Sequence, residues 1–293
     1  MDKMTKGYRV FNVFNIVLLI LITLLCVLPL FNILSLSLSD IIAVQQGRVT
    51  FWPVEFTTVG YEYILKNDAF WLSMWVSVQR VILGFIVNMV MTVMVAYPLS
   101  KNSTVFPART RYAWFFLITM LFGGGLIPAF LVVKYTGLMG TLWALVLPAA
   151  VPVYNVVLLL NFFRQLPKEL EEAAFIDGAG HTTTLTKVIL PVSKASLATI
   201  SLFVIVGHWN DYFAPIIYMQ RTTDYPMQTY LRSIIMSASF KVNDLNDSKL
   251  LEKLSNKTII SAQIFVGMIP ILCVYPFLQK YFAKGIVLGS VKG

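Results

Sequence analysis

Charge is scarce in this chain: 13% of its 293 residues are Asp, Glu, Lys or Arg, against 57% that are apolar. Ordinary soluble domains carry about 25% charged and about 45–50% apolar residues, so a soluble core of this length could not hide so much apolar surface. Cysteine is nearly absent, and Cys26 and Cys273 both lie in apolar runs; a disulfide scaffold is excluded, and buried thiols are expected. Histidine occurs only as His181 and His208. So widely separated in sequence, they support neither a metal site nor a nucleophile–base pair. There is no GxxxxGK[ST] phosphate loop, so the chain lacks that cradle for ATP. Disorder and a coiled coil are excluded by the same composition, and a membrane protein is what remains.

The formal charge is +9, from 23 Lys and Arg against 14 Asp and Glu. In a soluble protein that excess would suggest nucleic acid. Here the basic residues flank hydrophobic runs, which makes them a topology signal and the lipid bilayer the partner; no nucleic acid is expected. A spanning helix needs about 20 mostly apolar residues. Six windows qualify: Phe11–Leu34, Leu72–Tyr97, Tyr112–Val133, Leu142–Phe163, Ala195–Tyr218 and Ile259–Tyr281. The third is interrupted by Gly123, Gly124, Gly125 and Pro128, breaks tolerated where neighbouring helices or a cavity re-satisfy the backbone. The first run is too long for a signal-peptide core, and no cleavable signal is expected.

With the amino terminus in the cytoplasm, the inner segments hold Lys3, Lys6 and Arg9; Lys101, Arg109 and Arg111; Arg164, Lys168, Lys187 and Lys194; and Lys280, Lys284 and Lys292. That is thirteen basic residues against five acidic ones, so both termini are expected inside. The outer segments 38–70 and 219–258 exceed simple connectors. Only Arg80 and Asp211 remain as charges within spans. Counted from the outer ends of the second and fifth windows, both sit about 10–12 Å deep. Intramembrane charges pair with each other or face a water-filled path, so an Arg80–Asp211 pair is expected, with a snorkelling Arg80 or contact between Arg80 and a solute carboxylate as the alternatives. Asn88, Tyr154 and Asn155 fall near the midplane, where amides and an aromatic face serve either a polar solute or interhelical packing.

The inner segment 164–194 carries the most specific pattern. Pro167 suits the first position of a helix, and Glu169, Glu171 and Glu172 favour its positive end. Asp177-Gly178 and Gly180 stop that helix. A second is expected over Thr182–Leu190, ended by Pro191, and small Ala173 and Ala174 leave a face that another protein can approach. The same residues resemble the EAA loop of ATP-binding-cassette importer permeases: Glu-Ala-Ala, three residues, Gly, nine residues, Ile, one residue, Leu-Pro. Glu172, Ala173, Ala174, Gly178, Leu190 and Pro191 match, and Val188 stands for the Ile.

The resemblance implies an all-helical type I importer permease of six transmembrane helices in a bacterial or archaeal cytoplasmic membrane. Residues 1–70 would form the tail, first span and external loop, and residues 71–293 the permease core. It further implies that segment 164–194, including Asp177, couples to a separate ATPase. The chain would bind no cofactor itself; ATP and Mg belong to two ATPase partners. A second permease, expected to be a different chain, and an external solute-binding protein complete the set. The run Gly207-His-Trp209-Asn210-Asp211-Tyr212-Phe-Ala-Pro215 resembles the signature of carbohydrate importers, which makes Trp209, Asn210, Asp211 and Tyr212 candidates for the translocation path. Tyr225–Arg232 is similar to the branch that takes up uronate-containing oligosaccharides, and the stretch from Gln279 to Gly293 to the family's tail. An importer of oligosaccharides, acidic ones included, is therefore expected, with a permease for a neutral sugar or other small solute, or an ion-coupled transporter, as alternatives and no enzymatic step.

Overall fold

The computed structural model describes residues 6–240 and 257–290, and among them it is helical apart from one isolated bridge, Ser39–Phe56. The helices are α1 Lys6–Ser37, α2 Ile41–Gln45, α3 Val59–Leu65, α4 Asp68–Ser100, α5 Arg109–Leu121, α6 Leu126–Tyr135, α7 Trp143–Val146 and α8 Val153–Gln165. They continue with α9 Glu169–Ile176, α10 His181–Thr184, α11 Leu190–Val192, α12 Lys194–Asn210, α13 Phe213–Tyr218, α14 Met227–Phe240 and α15 Lys257–Ser290. Within the outer segment expected over 219–258, α14 is helical and residues 241–256 lie outside the described residues. The last three residues of the tail, 291–293, lie outside them too.

Among the described residues, three helices are long and apolar enough to cross a membrane: Val10–Ser37, Asp68–Ser100 and Lys257–Pro276. Three bent pairs meet the same test jointly: Arg109–Leu121 with Leu126–Tyr135, Trp143–Ala149 with Val153–Gln165, and His181–Val192 with Lys194–Asn210. Their bends are 110°, 51° and 84°. The first follows from Phe122-Gly-Gly-Gly125, where Gly125 takes φ +86, a left-handed value that side chains resist. The second follows from Pro148 and Pro152, which withdraw two backbone donors.

The fourth and fifth windows, and the end of the second helix of the inner segment, differ from expectation; the fourth is broken between Ala149 and Val153. The fifth is not continuous to Tyr218, because α12 stops at Asn210 and α13 starts at Phe213. Nor does Pro191 end the second helix of the inner segment. The chain passes through a π turn, Leu185–Ile189, and Pro191 sits inside α11. The widened turn already lacks the regular bonding that a proline ring would disrupt, and the bend falls at Ser193.

The chain divides into two compact units, Met1–Phe70 with Leu231–Ile269, and Trp71–Tyr230 with Pro270–Gly293. In the first, α1 is apolar around its circumference and exposed along most of its length, which suits a lipid solvent. Beyond it the chain folds onto a small core of Ala43, Val44 and Val49, with Asp40 capping α2 through Ile42 N–H at 2.9 Å. In the second unit, Ala96, Tyr97 and Leu99 of α4 pack with Val156, Leu159 and Phe163 of α8, Ile189, and Ile200 and Val204 of α12. This core lies between a polar cavity and the hairpin formed by α9 and α10.

Candidate functional site: a polar spine along one helix

One face of α4 is polar and buried. Ser73, Ser77, Arg80, Asn88 and Thr92 are each 4% exposed or less, and their spacing of three, four or eight residues places them on one stripe. Each of the first four reaches a non-local partner. Ser73 Oγ donates to Met227 Sδ at 3.7 Å, and Ser77 Oγ accepts the Met227 N–H at 2.7 Å, a donor that the first turn of α14 leaves free. Asn88 Nδ2 donates to the carbonyls of Ala149 and Ala150 at 2.7 and 2.9 Å. Those are the acceptors released where the chain breaks between α7 and α8. Arg80 serves the second break: its Nη1 donates to the Asp211 carbonyl at 2.7 Å and its Nη2 to Asp211 Oδ2 at 2.5 Å.

Asp211 is itself a junction. It follows α12 in an extended conformation, and its Oδ1 accepts from Phe213 N–H at 3.0 Å and Ala214 N–H at 3.2 Å, capping α13. Thr229 Oγ1 donates to the neighbouring Tyr212 carbonyl at 3.0 Å. Interrupted helices at membrane depth survive only when their freed backbone groups find partners, and here α4 supplies them for the carbonyls of Ala149, Ala150 and Asp211.

The stripe borders a cavity of about 220 Å³ lined by Arg80, Asn88, Asn155, His208 and Asp211, with apolar walls from Leu145, Pro152, Phe203 and Val204. Arg80, Asn88, Asn155 and Asp211 are therefore brought together as the sequence suggested. Tyr154 is not: it is 57% exposed and absent from the lining. Trp209 is buried, while Asn210 and Tyr212 are exposed, and none of the three lines the cavity. Trp209 and Asn210 are the last residues of α12, and Tyr212 lies in the break before α13.

Sequence reasoning missed His208. Its Nε2 lies 2.7 Å from Asn88 Oδ1, and because the Asn88 amide nitrogen already donates twice, Oδ1 is the acceptor and Nε2 the donor. The ring fits because residue 84 is glycine: a Cβ there would lie 2.3 Å from His208 Nε2. Arg80, Gly84 and Asn88 are each four residues apart, so a small residue between two polar ones on the same face was the available signal.

At the other end of the core, the α9–α10 hairpin closes through a glycine cap. Ala179 N–H donates to the Ala174 carbonyl at 2.9 Å and Gly178 N–H to that of Phe175 at 3.0 Å. These are the two bonds of a Schellman motif, with Asp177 at the C-cap and Gly178 at φ +78. Gly180 begins α10 rather than ending α9. Ala174 is buried and Leu190 packs on the core, whereas Glu172, Ala173, Asp177 and Pro191 face outward, as does Ile176 at 86% exposure. The hairpin is tied to α4 by an ion pair between Lys101 and Glu171. Burial pulls the Lys101 ammonium below its ordinary pKa, and the Glu171 carboxylate pulls it back. Arg109 Nε and Arg164 Nη2 both donate to the Leu99 carbonyl, at 3.0 and 3.2 Å, satisfying the free end of the same helix.

Apolar helices of spanning length, several of them broken, with a polar cavity at one end of their core and a capped hairpin at the other, define a helical membrane protein. Residues 69–288 match the model of the family described as binding-protein-dependent transport system inner membrane component, and the chain belongs to that family. Among its relatives is the polygalacturonan/rhamnogalacturonan transport system permease protein YtcP of Bacillus subtilis (strain 168), 39% identical over 92% of this chain and 93% of YtcP. Protein LplC of the same organism is 38% identical over 99% of this chain and 97% of its own length. A solved bacterial ABC transporter involved in the import of the acidic polysaccharide alginate contains a chain that superposes with a TM-score of 0.85. The two share 31% identity, over 96% of this chain and 100% of that one. The chain is thus a permease subunit of an ABC importer, a transport component and not an enzyme, and its family works with a partner permease, an ATPase and a solute-binding protein.

Proposed function

We propose that this chain is one half of the membrane pore of an ATP-driven importer for acidic, uronate-containing oligosaccharides. The observation that carries the reading is its double likeness: galacturonan, named for YtcP, and alginate, named for the solved transporter, are both polyuronates. The machine consists of this chain, a second and different permease, two ATPase subunits holding ATP and Mg, and an external binding protein. Six spans, with α12 and α13 together as the fifth and the other two bent pairs counting once each, leave both termini in the cytoplasm beside the basic inner segments. The α9–α10 hairpin, with Glu172, Ala173, Ala174, Asp177, Gly178, Leu190 and Pro191, docks on an ATPase. The cavity at Arg80, Asn88, Asn155 and Asp211 belongs to the translocation path.

Uptake into proteoliposomes containing all partners tests the substrate class. Labelled oligogalacturonate should enter in an ATP-dependent manner, and a neutral oligosaccharide of equal length should enter about tenfold more slowly, a difference of ~1.4 kcal/mol. Equal rates for both would overturn the acidic specificity, and ATP-independent entry would overturn the importer assignment.

The docking role is tested at Gly178. A Cβ there has open space around it, so only the left-handed backbone resists substitution. That resistance is about 1–2 kcal/mol. Gly178→Val should therefore leave the protein inserted but reshape the hairpin, so that less ATPase subunit co-purifies and uptake is lost. Gly178→Asn, which tolerates φ near +60°, should keep most of both. Wild-type uptake by Gly178→Val would remove the hairpin from the coupling role.

A further inference from the structure

Lys101 is the first residue beyond α4, and it does more than end a helix. Its Nζ lies 3.8 Å from the centroid of the Tyr97 ring, one turn back, and pairs with the Glu171 carboxylate on α9. Both side chains are largely covered, at 11% and 26% exposure. Tyr97 in turn stands edge-on to Phe163 of α8 at 6.4 Å and to His181 of α10 at 6.5 Å. His181 meets Phe175 of α9 at 5.0 Å. Both arms of the hairpin therefore close on the last turn of α4, α9 through Glu171 and α10 through His181.

The ring contacts by themselves specify direction poorly, because apolar and aromatic surfaces slide past one another at little cost. A shielded ion pair is different. Its net stabilisation is small, yet moving either charge away from the other leaves a poorly solvated orphan, so the pair sets register between the elements that carry it. Seating the ammonium on the Tyr97 face adds a second constraint on the same group. Toward its other end α4 carries Arg80 and Asn88, which hold the breaks of the fifth and fourth spans at the cavity. One rigid helix thus joins the hairpin to both hinges.

We propose that the Lys101–Glu171 pair, seated on Tyr97, is the strut through which movement of the hairpin reaches α4 and the cavity. Lys101 and Glu171 are positioning residues: they touch neither solute nor nucleotide, and they make hydrolysis answer to the loaded binding protein. The inference rests on the docking role given to the hairpin above.

The test uses the complete reconstituted complex and reads the ratio of hydrolysis with substrate-loaded binding protein to hydrolysis without it, per ATPase subunit co-purified. Lys101→Met and Glu171→Gln should each lower that ratio by about fivefold or more, the size of an ordinary coupling between sites, while the amount of co-purified ATPase stays at the wild-type level. The double variant should be no worse than either single one. Lys101→Arg keeps both the charge and the ring stacking and should retain the ratio. A merely structural pair gives the opposite pattern, less assembled complex with an unchanged ratio per complex, and overturns the proposal; so does a normal ratio in both single variants. Should Lys101→Met not assemble, Glu171→Gln decides alone, since it preserves side-chain shape and leaves Lys101 on its ring. Absence of stimulation in the wild-type complex would sink the functional reading itself, which separates that failure from failure of the strut.

Discussion

Asp211→Ala is expected to damage the protein more than Arg80→Met, and the double variant to recover much of the loss. The asymmetry comes from burial. The Arg80 side chain is 2% exposed and that of Asp211 34%, so deleting the carboxylate strands a guanidinium where water does not reach. The Nε of that guanidinium already lacks a partner among the described residues, and only the bond to the residue 211 carbonyl would remain. Breaking a buried pair from one side costs about 3–5 kcal/mol. Removing Arg80 instead leaves a carboxylate that still accepts from Phe213 and Ala214 and borders the cavity, a loss of about 1–2 kcal/mol. The double variant keeps neither charge but still lacks the cap on α13, so recovery stops about 1 kcal/mol short.

Thermal midpoints of the purified complex, combined in a double-mutant cycle, measure all three quantities. Additive losses, or a larger loss for Arg80→Met, would show that the two residues act independently. Uptake adds a second axis. If Arg80 trades Asp211 for a solute carboxylate, Arg80→Met loses acidic oligosaccharide transport while sparing neutral transport. If the pair is structural, both solutes fall together. Arg80→Lys should not substitute, because a single ammonium cannot bond Oδ2 and the carbonyl in the same fork.

Gly84→Ala should be disruptive out of proportion to one methyl group. The added Cβ would lie 2.3 to 2.6 Å from three atoms of the His208 ring, and a ring held by Asn88 in a packed interior has little room to retreat. Overpacking of this kind costs about 1–3 kcal/mol. If the ring does swing away, Asn88 Oδ1 loses its donor inside the protein, adding about 1–3 kcal/mol. Asn88 also holds the carbonyls at the α7–α8 break, so the disturbance reaches the cavity and uptake should fall along with stability. Gly84→Ala combined with His208→Ala removes the clash and should assemble better than Gly84→Ala alone. Wild-type stability of the single variant, or a double variant worse than both singles, would mean that α4 and α12 do not approach each other in this way.

The sequence by itself determined what depends on composition and short range. Length and polarity of the apolar runs marked the spans, because a bilayer imposes one thickness on every helix. The Asp177-Gly178 stop was legible because a left-handed cap needs glycine locally, and the spacing from Glu172 to Pro191 pointed to the family. Arg80 and Asp211 could be matched because two lone charges in apolar surroundings have few other options. Only the tertiary structure decided which backbone groups the breaks would free and what would satisfy them. Asn88 reaches carbonyls 61 and 62 positions away, His208 lies 120 from Asn88, and Asp211 lies 131 from Arg80. No local period encodes such a match. Tyr154 and Asn155 make the point at a single step of sequence: adjacent on α8 and alike in depth, one faces outward and the other the cavity. The rotation of a helix about its axis is set by what packs against it, and that information lies in other parts of the chain.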